Sequence, residues 1–216
     1  MSDSWHENLK SKNRLEIIAS ARELFLENNF FNVSVKDVCN LAGVSRVTFY
    51  KHFKSIDELI FEVQMNVLDN MTEYIVSRDN SDVSGMERLK LILNAWIQFA
   101  KEHREQMKFI ILFDLYYNTY DSDEELKNKY ANFVSKENQN YFLNSAINKG
   151  ISDGTLRKDI NPIRTGYYIF QTIMGVLQRM SYTKLPENNE DITFEDISSS
   201  VLEMIINSIK AQNIKN

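Results

Sequence analysis

Residues 43–53 read GVSRVTFYKHF. Ser45 is placed to cap a short helix by accepting from backbone N–H groups just downstream, and Val44 before it can pack on Phe49 at the fourth helical position. At about 100° per residue, Phe49 and Phe53 share one face, while Val47, Thr48, Tyr50 and Lys51 spread over the opposite arc. One face packs and the other looks out. Immediately upstream, VSVKDVCNLA (33–42) offers Ser34 as a cap with Asp37 at the third helical position, and Gly43 ends that helix after about two turns. Two short helices joined at a glycine, with longer segments on both sides, form a helix-turn-helix arrangement. Its second helix pairs a capped start, whose N–H groups suit phosphate, with an outward arc of basic, hydroxyl and aromatic side chains.

The rest of the composition sets limits on that reading. Six Gly and two Pro in 216 residues leave little room for a sheet with tight turns, so an almost entirely helical protein is expected. The formal net charge of −5 argues against nucleic acid as a partner of the whole chain. Its distribution does not, because residues 1–60 balance basic against acidic and the whole acidic excess lies beyond them. Within 36–54, Lys36, Arg46, Lys51 and Lys54 face a single acid, Asp37. The longest apolar run, 109–113, stops at Asp114, and the opening MSDSWHENLKSKNR resembles no signal peptide, so a cytoplasmic protein with no membrane partner is expected.

Chemistry-bearing patterns are scarce. Cys39 has no second cysteine to pair with and reads as a small buried thiol. His6, His52 and His103 lack metal-ligand spacing, so no metal is expected, and His103 in KEHREQ reads as a solvated residue near a helix end. The motifs GxSxG, GxGxxG, HExxH and the phosphate loop are missing, which argues against an enzyme and a cofactor.

Helix signals continue along the chain. NRLEIIASARELFLEN (13–28), after a polar arm, carries Leu15, Ile18, Ala19, Leu24 and Phe25 on one face, and Asn29 suits a left-handed turn. Ser55 with Glu58 opens a long helix, and Ser84 with Glu87 opens another reaching about His103. A further helix runs from about Glu105 to Tyr117. Ser122 with Glu125 starts a long one expected to span Asp123 to about Lys149. Asn161-Pro162 begins a helix to about Tyr182, and Thr193 caps a last one to about Ala211.

VSVKDVCNLAGVSRVTFYKHFKSIDELI (33–60) resembles the signature of the TetR family of bacterial transcriptional repressors, the likeness extending over about residues 12 to 62. KGISDGTLRKDINP (149–162) is similar to the turn that often precedes that family's dimerisation helices. The resemblance implies an all-α homodimer, with a helix-turn-helix DNA-binding domain over 1–56 and a ligand-sensing and dimerisation domain over 57–216. It implies a ligand-responsive repressor released from a palindromic double-stranded DNA operator by a small molecule. An activator, or a chromosome-associated factor of the same fold without a small ligand, is the alternative.

Carried over by position, Ser34 and Val35 would meet phosphate, and Ser45, Arg46, Thr48, Tyr50, Lys51 and His52 would lie in or beside the major groove. Tyr50 suits a phosphate, Arg46 a guanine, and the outward Val47 a thymine methyl. Two positions depart from the family pattern. Ile56 stands where a lysine is common, leaving Lys54 and a helix N-terminus to replace a phosphate contact, and Val47 stands where a small residue is frequent.

The stretch 109–142 holds nine aromatic residues, about twice the chain-wide share. Such a stripe serves a core or a largely apolar effector pocket. A pocket touching Trp96, Phe99, Phe113, Tyr117, Phe133, Glu137, Tyr141 and Phe170 is expected, with Glu137 either reaching solvent or meeting a cationic or hydrogen-bonding ligand. For the dimer, Ile169, Ile173, Val176, Leu177 and Met180 form one stripe, with Gly166 and Gly175 allowing close approach, and Ile197, Val201, Met204 and Ile205 another. These would build a four-helix bundle between subunits or cover the protomer's own core.

Overall fold

The computed structural model describes residues 2–119, 123–137, 140–184 and 192–211, with backbone alone for 2–11, 118–119, 135–137 and 140–141. Among these residues the regular structure is helical. The helices are α1 (Ser2–Glu27), α2 (Val35–Ala42), α3 (Arg46–Tyr50), α4 (Ile56–Val76), α5 (Gly85–Glu102), α6 (Arg104–Thr119), α7 (Glu124–Glu137), α8 (Asn140–Ser152), α9 (Pro162–Tyr182) and α10 (Phe194–Ile209), with a 3-10 turn at Phe30–Asn32. The capping residues expected at Ser34, Ser45, Ser84, Asn161 and Thr193 all accept from the third helical N–H.

Three expectations are adjusted. Helix α1 already begins at Ser2, well before the apolar face that starts near Asn13. Ser122 lies outside the described residues, and the Glu125 N–H donates instead to Asp123 Oδ1 at 2.8 Å. The single helix expected from Asp123 to Lys149 is described as α7 and α8, on either side of 138–139.

Packing divides the chain into two compact units, Met1–Leu68 with Phe109–Phe133, and Asp69–Lys108 with Val134–Asn216. The division follows packing and not chain order, so 109–133 groups with the N-terminal helices that a boundary at 56/57 would set apart. In the first unit, Ile17, Ala21, Phe25, Val38, Phe49, Phe53, Leu59 and Val63 form the buried centre. Aromatic contacts tie α6 to this centre: Phe25 stacks on Phe109 at 6.2 Å, and Phe30 meets Phe109 edge-on at 5.6 Å and Tyr116 at 5.9 Å.

In the second unit, α5, α8, α9 and α10 pack through Leu89, Ile92, Leu93, Trp96, Leu143, Ile147, Ile173 and Leu177. Gly85 permits the approach of α5 to α8, because a Cβ there would stand 2.0 Å from the backbone nitrogen of Gly150. Arg88 holds the preceding polar linker with paired hydrogen bonds to Asp79 at 2.7 and 2.6 Å, and reaches Ser145 at 2.8 Å. The turn at 153–157 uses Gly154 at φ 79°, and there Arg157 N–H donates to Ile209 carbonyl (3.0 Å) and Ala211 N–H to Thr155 carbonyl (3.1 Å).

Candidate nucleic-acid interface and effector cavity

The first short helix of the reader is fixed at both ends by local hydrogen bonds. Ser34 Oγ accepts from Asp37 N–H, and the Asp37 carboxylate accepts from Ser34 N–H at 2.9 Å, a reciprocal capping box. Hydrogen bonds from the Ser34 side chain and backbone hold the Asp37 carboxyl below the usual range. Gly43 closes α2 at φ 64°, ψ 28°, and Val44 N–H returns to Cys39 carbonyl at 3.0 Å. A side chain other than Gly, and to a lesser degree Asn, is strained in that left-handed conformation.

Helix α3 spans only five residues, so its neighbours hold it more than its own backbone does. Ser45 Oγ accepts from Thr48 N–H at 3.0 Å and shares a hydrogen bond with Thr48 Oγ1 at 2.9 Å. Phe49 and Phe53 are fully buried with ring centroids 5.7 Å apart, and the Arg14 guanidinium lies 5.2 Å from the Phe53 ring centroid. Opposite them, Val47 is 68% exposed and Tyr50 57%. Ser34, Ser45, Arg46, Lys51 and Lys54 are exposed as well, whereas Val35, Thr48, His52 and Ile56 are half-buried. Cys39 is buried beneath this surface, and burial raises its thiol pKa against the opposing charge of Arg46.

The capping expected at the start of α4 is displaced by one residue. Ser55 Oγ accepts from Glu58 N–H at 3.1 Å, but the Glu58 carboxylate takes the N–H of Lys54, at 2.6 Å. The Lys54 ammonium lies 3.4 Å from Glu125 of α7, an exposed pair that contributes little to stability. Glu62 bridges Arg14 at 2.8 Å and Lys129 at 3.0 Å. Burial alone would raise the Glu62 carboxyl, but hydrogen bonds from Arg14 and Lys129 outweigh it and hold the carboxyl low.

Of the eight pocket residues expected from sequence, Phe113 and Tyr117 come together in the first unit. They line a cavity of about 270 Å³ with Phe61, Asp114, Lys127, Tyr130 and Ala131. Phe133, one turn beyond Tyr130, is half-buried. In the second unit, Trp96 packs edge-on against Phe170 at 5.6 Å, and Phe99 sits 5.4 Å from Tyr74 and 4.7 Å from His103. Those rings are occupied by core packing. His103, expected to be solvated, is half-buried at the end of α5 against them. The side chains of Glu137 and Tyr141 lie outside the described residues. Phe61, Asp114 and Lys127 were missed because their partners are remote in sequence, although Asp114 at the end of an apolar run was a visible signal.

The stripes assigned to a partner subunit require correction. Ile169, Ile173, Leu177, Met180, Val201 and Ile205 are buried within the protomer, so the reading in which they cover its own core holds for these six. Gly166 likewise serves an internal approach, since a Cβ there would stand 2.5 Å from Asn144 Oδ1. Val176 and Ile197 are half-buried and Met204 is 63% exposed. The outward face of α9 carries Tyr168, Thr172, Gly175, Arg179 and Tyr182, with open space beside Gly175.

Comparison with known proteins agrees with this architecture. Residues 17–63 match the family model described as bacterial regulatory proteins, tetR family. The chain is 24% identical over 165 residues to the HTH-type transcriptional regulator UidR of Escherichia coli (strain K12), covering 76% of this chain and 79% of that one. A bacterial regulatory protein in the tetR family from Rhodococcus RHA1 superposes with a TM-score of 0.67 at 13% identity, covering 93% of this chain and 98% of that chain. The transcriptional regulator FadR from Bacillus subtilis, in complex with stearoyl-CoA, superposes with a TM-score of 0.66 at 21% identity, covering 89% and 97%. Residues 17–63 thus match a tetR-family regulatory domain, and helices α2 and α3 are the helix-turn-helix within it.

Proposed function

We propose that the protein is a one-component repressor that binds a palindromic operator as a homodimer and is released by a small molecule. The observation that carries this reading is the two-faced α3, seated by Phe49 and Phe53 while Arg46, Val47, Tyr50 and Lys51 are exposed. An α3 in the major groove would set Arg46 and Val47 at base edges, with Tyr50, Lys51, Lys54 and the Ser34–Val35 start of α2 beside phosphates. Two such readers must engage half-sites about 34 to 36 Å apart, one helical turn, so any ligand that changes their separation weakens DNA binding. By linkage, DNA weakens ligand binding by the same factor.

The proposed dimer surface is the outward face of α9 and α10. Tyr168, Tyr182 and Met204 offer apolar area there, and Gly175 and Ser200 leave room for a facing helix. Footprinting on the DNA flanking its own gene, with a promoter reporter, tests the reading. A sharp symmetric footprint and reporter activity that rises when the gene is deleted support it. Dispersed binding without a symmetric site, or reporter activity that falls on deletion, contradicts it.

A further inference from the structure

The cavity in the first unit has walls of a definite chemistry. Phe61 stands 5.0 Å from Phe113 and 4.4 Å from Tyr117, and Phe113 stands 5.0 Å from Tyr130, all between ring centroids. Each tyrosine hydroxyl has a hydrogen-bond partner. Tyr117 donates to Asp57 at 3.0 Å, in the first turn of α4, and Tyr130 accepts from Gln64 Nε2 at 3.2 Å. Gln64 is fully buried, and its Oε1 has no hydrogen-bond partner among the described residues. Asp114 presents a carboxylate to the same space, and among the described residues no donor or cation meets it. Burial pushes the Asp114 carboxyl up to about 6. At Asp114 the polar demand is therefore for a donor or a positive charge, set among four rings whose π faces attract cations. Among the described wall residues Lys127 is the one group of opposite character, and it has interactions of its own.

We infer that this cavity takes an organic cation, with its ammonium group at Asp114 and its apolar body against Phe61, Phe113, Tyr117 and Tyr130. The inference rests on the effector-released reading above and names the class of effector. Coupling to the reader has a route inside the same unit. The cavity wall reaches the start of α4 through Tyr117 and Asp57, and α7 is tied to Lys54 and to α1 through Glu125, Lys129 and Glu62.

The test uses three small molecules sharing one body: 3-phenylpropylammonium, 3-phenylpropanol and 3-phenylpropanoate. Calorimetric titration of the full chain is expected to give the ammonium at least about tenfold tighter binding than either other compound. Asp114→Asn, whose fold is checked by its melting curve, should bring the ammonium close to the alcohol. Lys127→Gln, which removes a like charge, should tighten the ammonium. Tightest binding by the carboxylate, a cation preference that survives Asp114→Asn, or an ammonium affinity that does not rise in Lys127→Gln overturns the inference. Operator affinity is measured in parallel. Asp114-dependent cation binding without any change in operator affinity upholds the site and defeats the release reading. Operator release by ligands showing no cation preference upholds the release reading and defeats the inference.

Discussion

The reader segment and the aromatic cavity belong to the same compact unit, yet they are built by opposite means. The reader is assembled within twenty residues, from Ser34 to Phe53, by caps, a left-handed glycine and one pair of aromatic residues. The cavity draws Phe61 from α4, Phe113 to Tyr117 from α6 and Lys127 to Ala131 from α7, so its chemistry exists only after tertiary packing. Local rules thus specify the surface that meets a constant partner, DNA. Long-range packing specifies the cavity proposed to take an effector.

The largest expected effect breaks the reader at its seat. Phe49→Ala removes a fully buried ring from the first unit and should cost about 3 to 5 kcal/mol, read by denaturant unfolding. A loss under about 1 kcal/mol would mean that α3 is held by its exposed face instead.

The next effect tests the cavity and depends on pH. The Asp114 carboxyl titrates near 6 in the folded protein against an ordinary value of 3.8, so the folded state holds the proton more tightly. Stability from this group is full below about pH 4 and is lost as pH rises through about 6, up to about 3 kcal/mol in all. Asp37, Glu62, Asp153 and Asp196 are shifted downward and act in the opposite sense, so the quantity to measure is the difference between the parent and Asp114→Asn. The variant should gain on the parent across that window. A constant difference from pH 4 to 7 would place the carboxylate in solvent.

Smaller effects separate base reading from backbone contact. Arg46→Ala should cost about 1 to 3 kcal/mol at one position in each half-site and leave the others unchanged. Lys51→Ala should weaken all sequences alike and reduce the slope of log affinity against log salt by about 1. Smallest is Glu125→Ala, which frees the exposed Lys54 ammonium and should change stability by less than about 1 kcal/mol in a thermal melt. A larger loss would show that α7 is anchored by that pair.

What was legible in the sequence follows the same division. Caps at Ser34, Ser45, Ser84, Asn161 and Thr193, the turn at Gly43 and the core placement of Phe49 and Phe53 were all readable, because each depends on neighbours within four residues. Periodicity on α9 and α10 correctly marked an apolar stripe but could not say what covers it. The stripe of Ile169, Ile173 and Leu177 turns inward, and the exposed residues opposite, proposed to meet a partner, are the tyrosines, Gly175 and Met204. Aromatic content pointed to a pocket region, and Phe113 and Tyr117 do line the cavity. Trp96, Phe99 and Phe170 share the composition but are spent on core contacts in the second unit. Asp114 was visible only as the residue ending an apolar run, since its meaning depends on the rings of α4 and α7 that surround it.

The measurement that bears most directly on the central claim is the operator-preference profile of the parent and of Arg46→Ala, taken on the footprinted site. A homodimeric reader predicts a profile with two-fold symmetry, in which Arg46→Ala relaxes one position in each half-site, the two lying about one helical turn apart. An unchanged profile, or relaxation at a single unpaired position, would contradict the account.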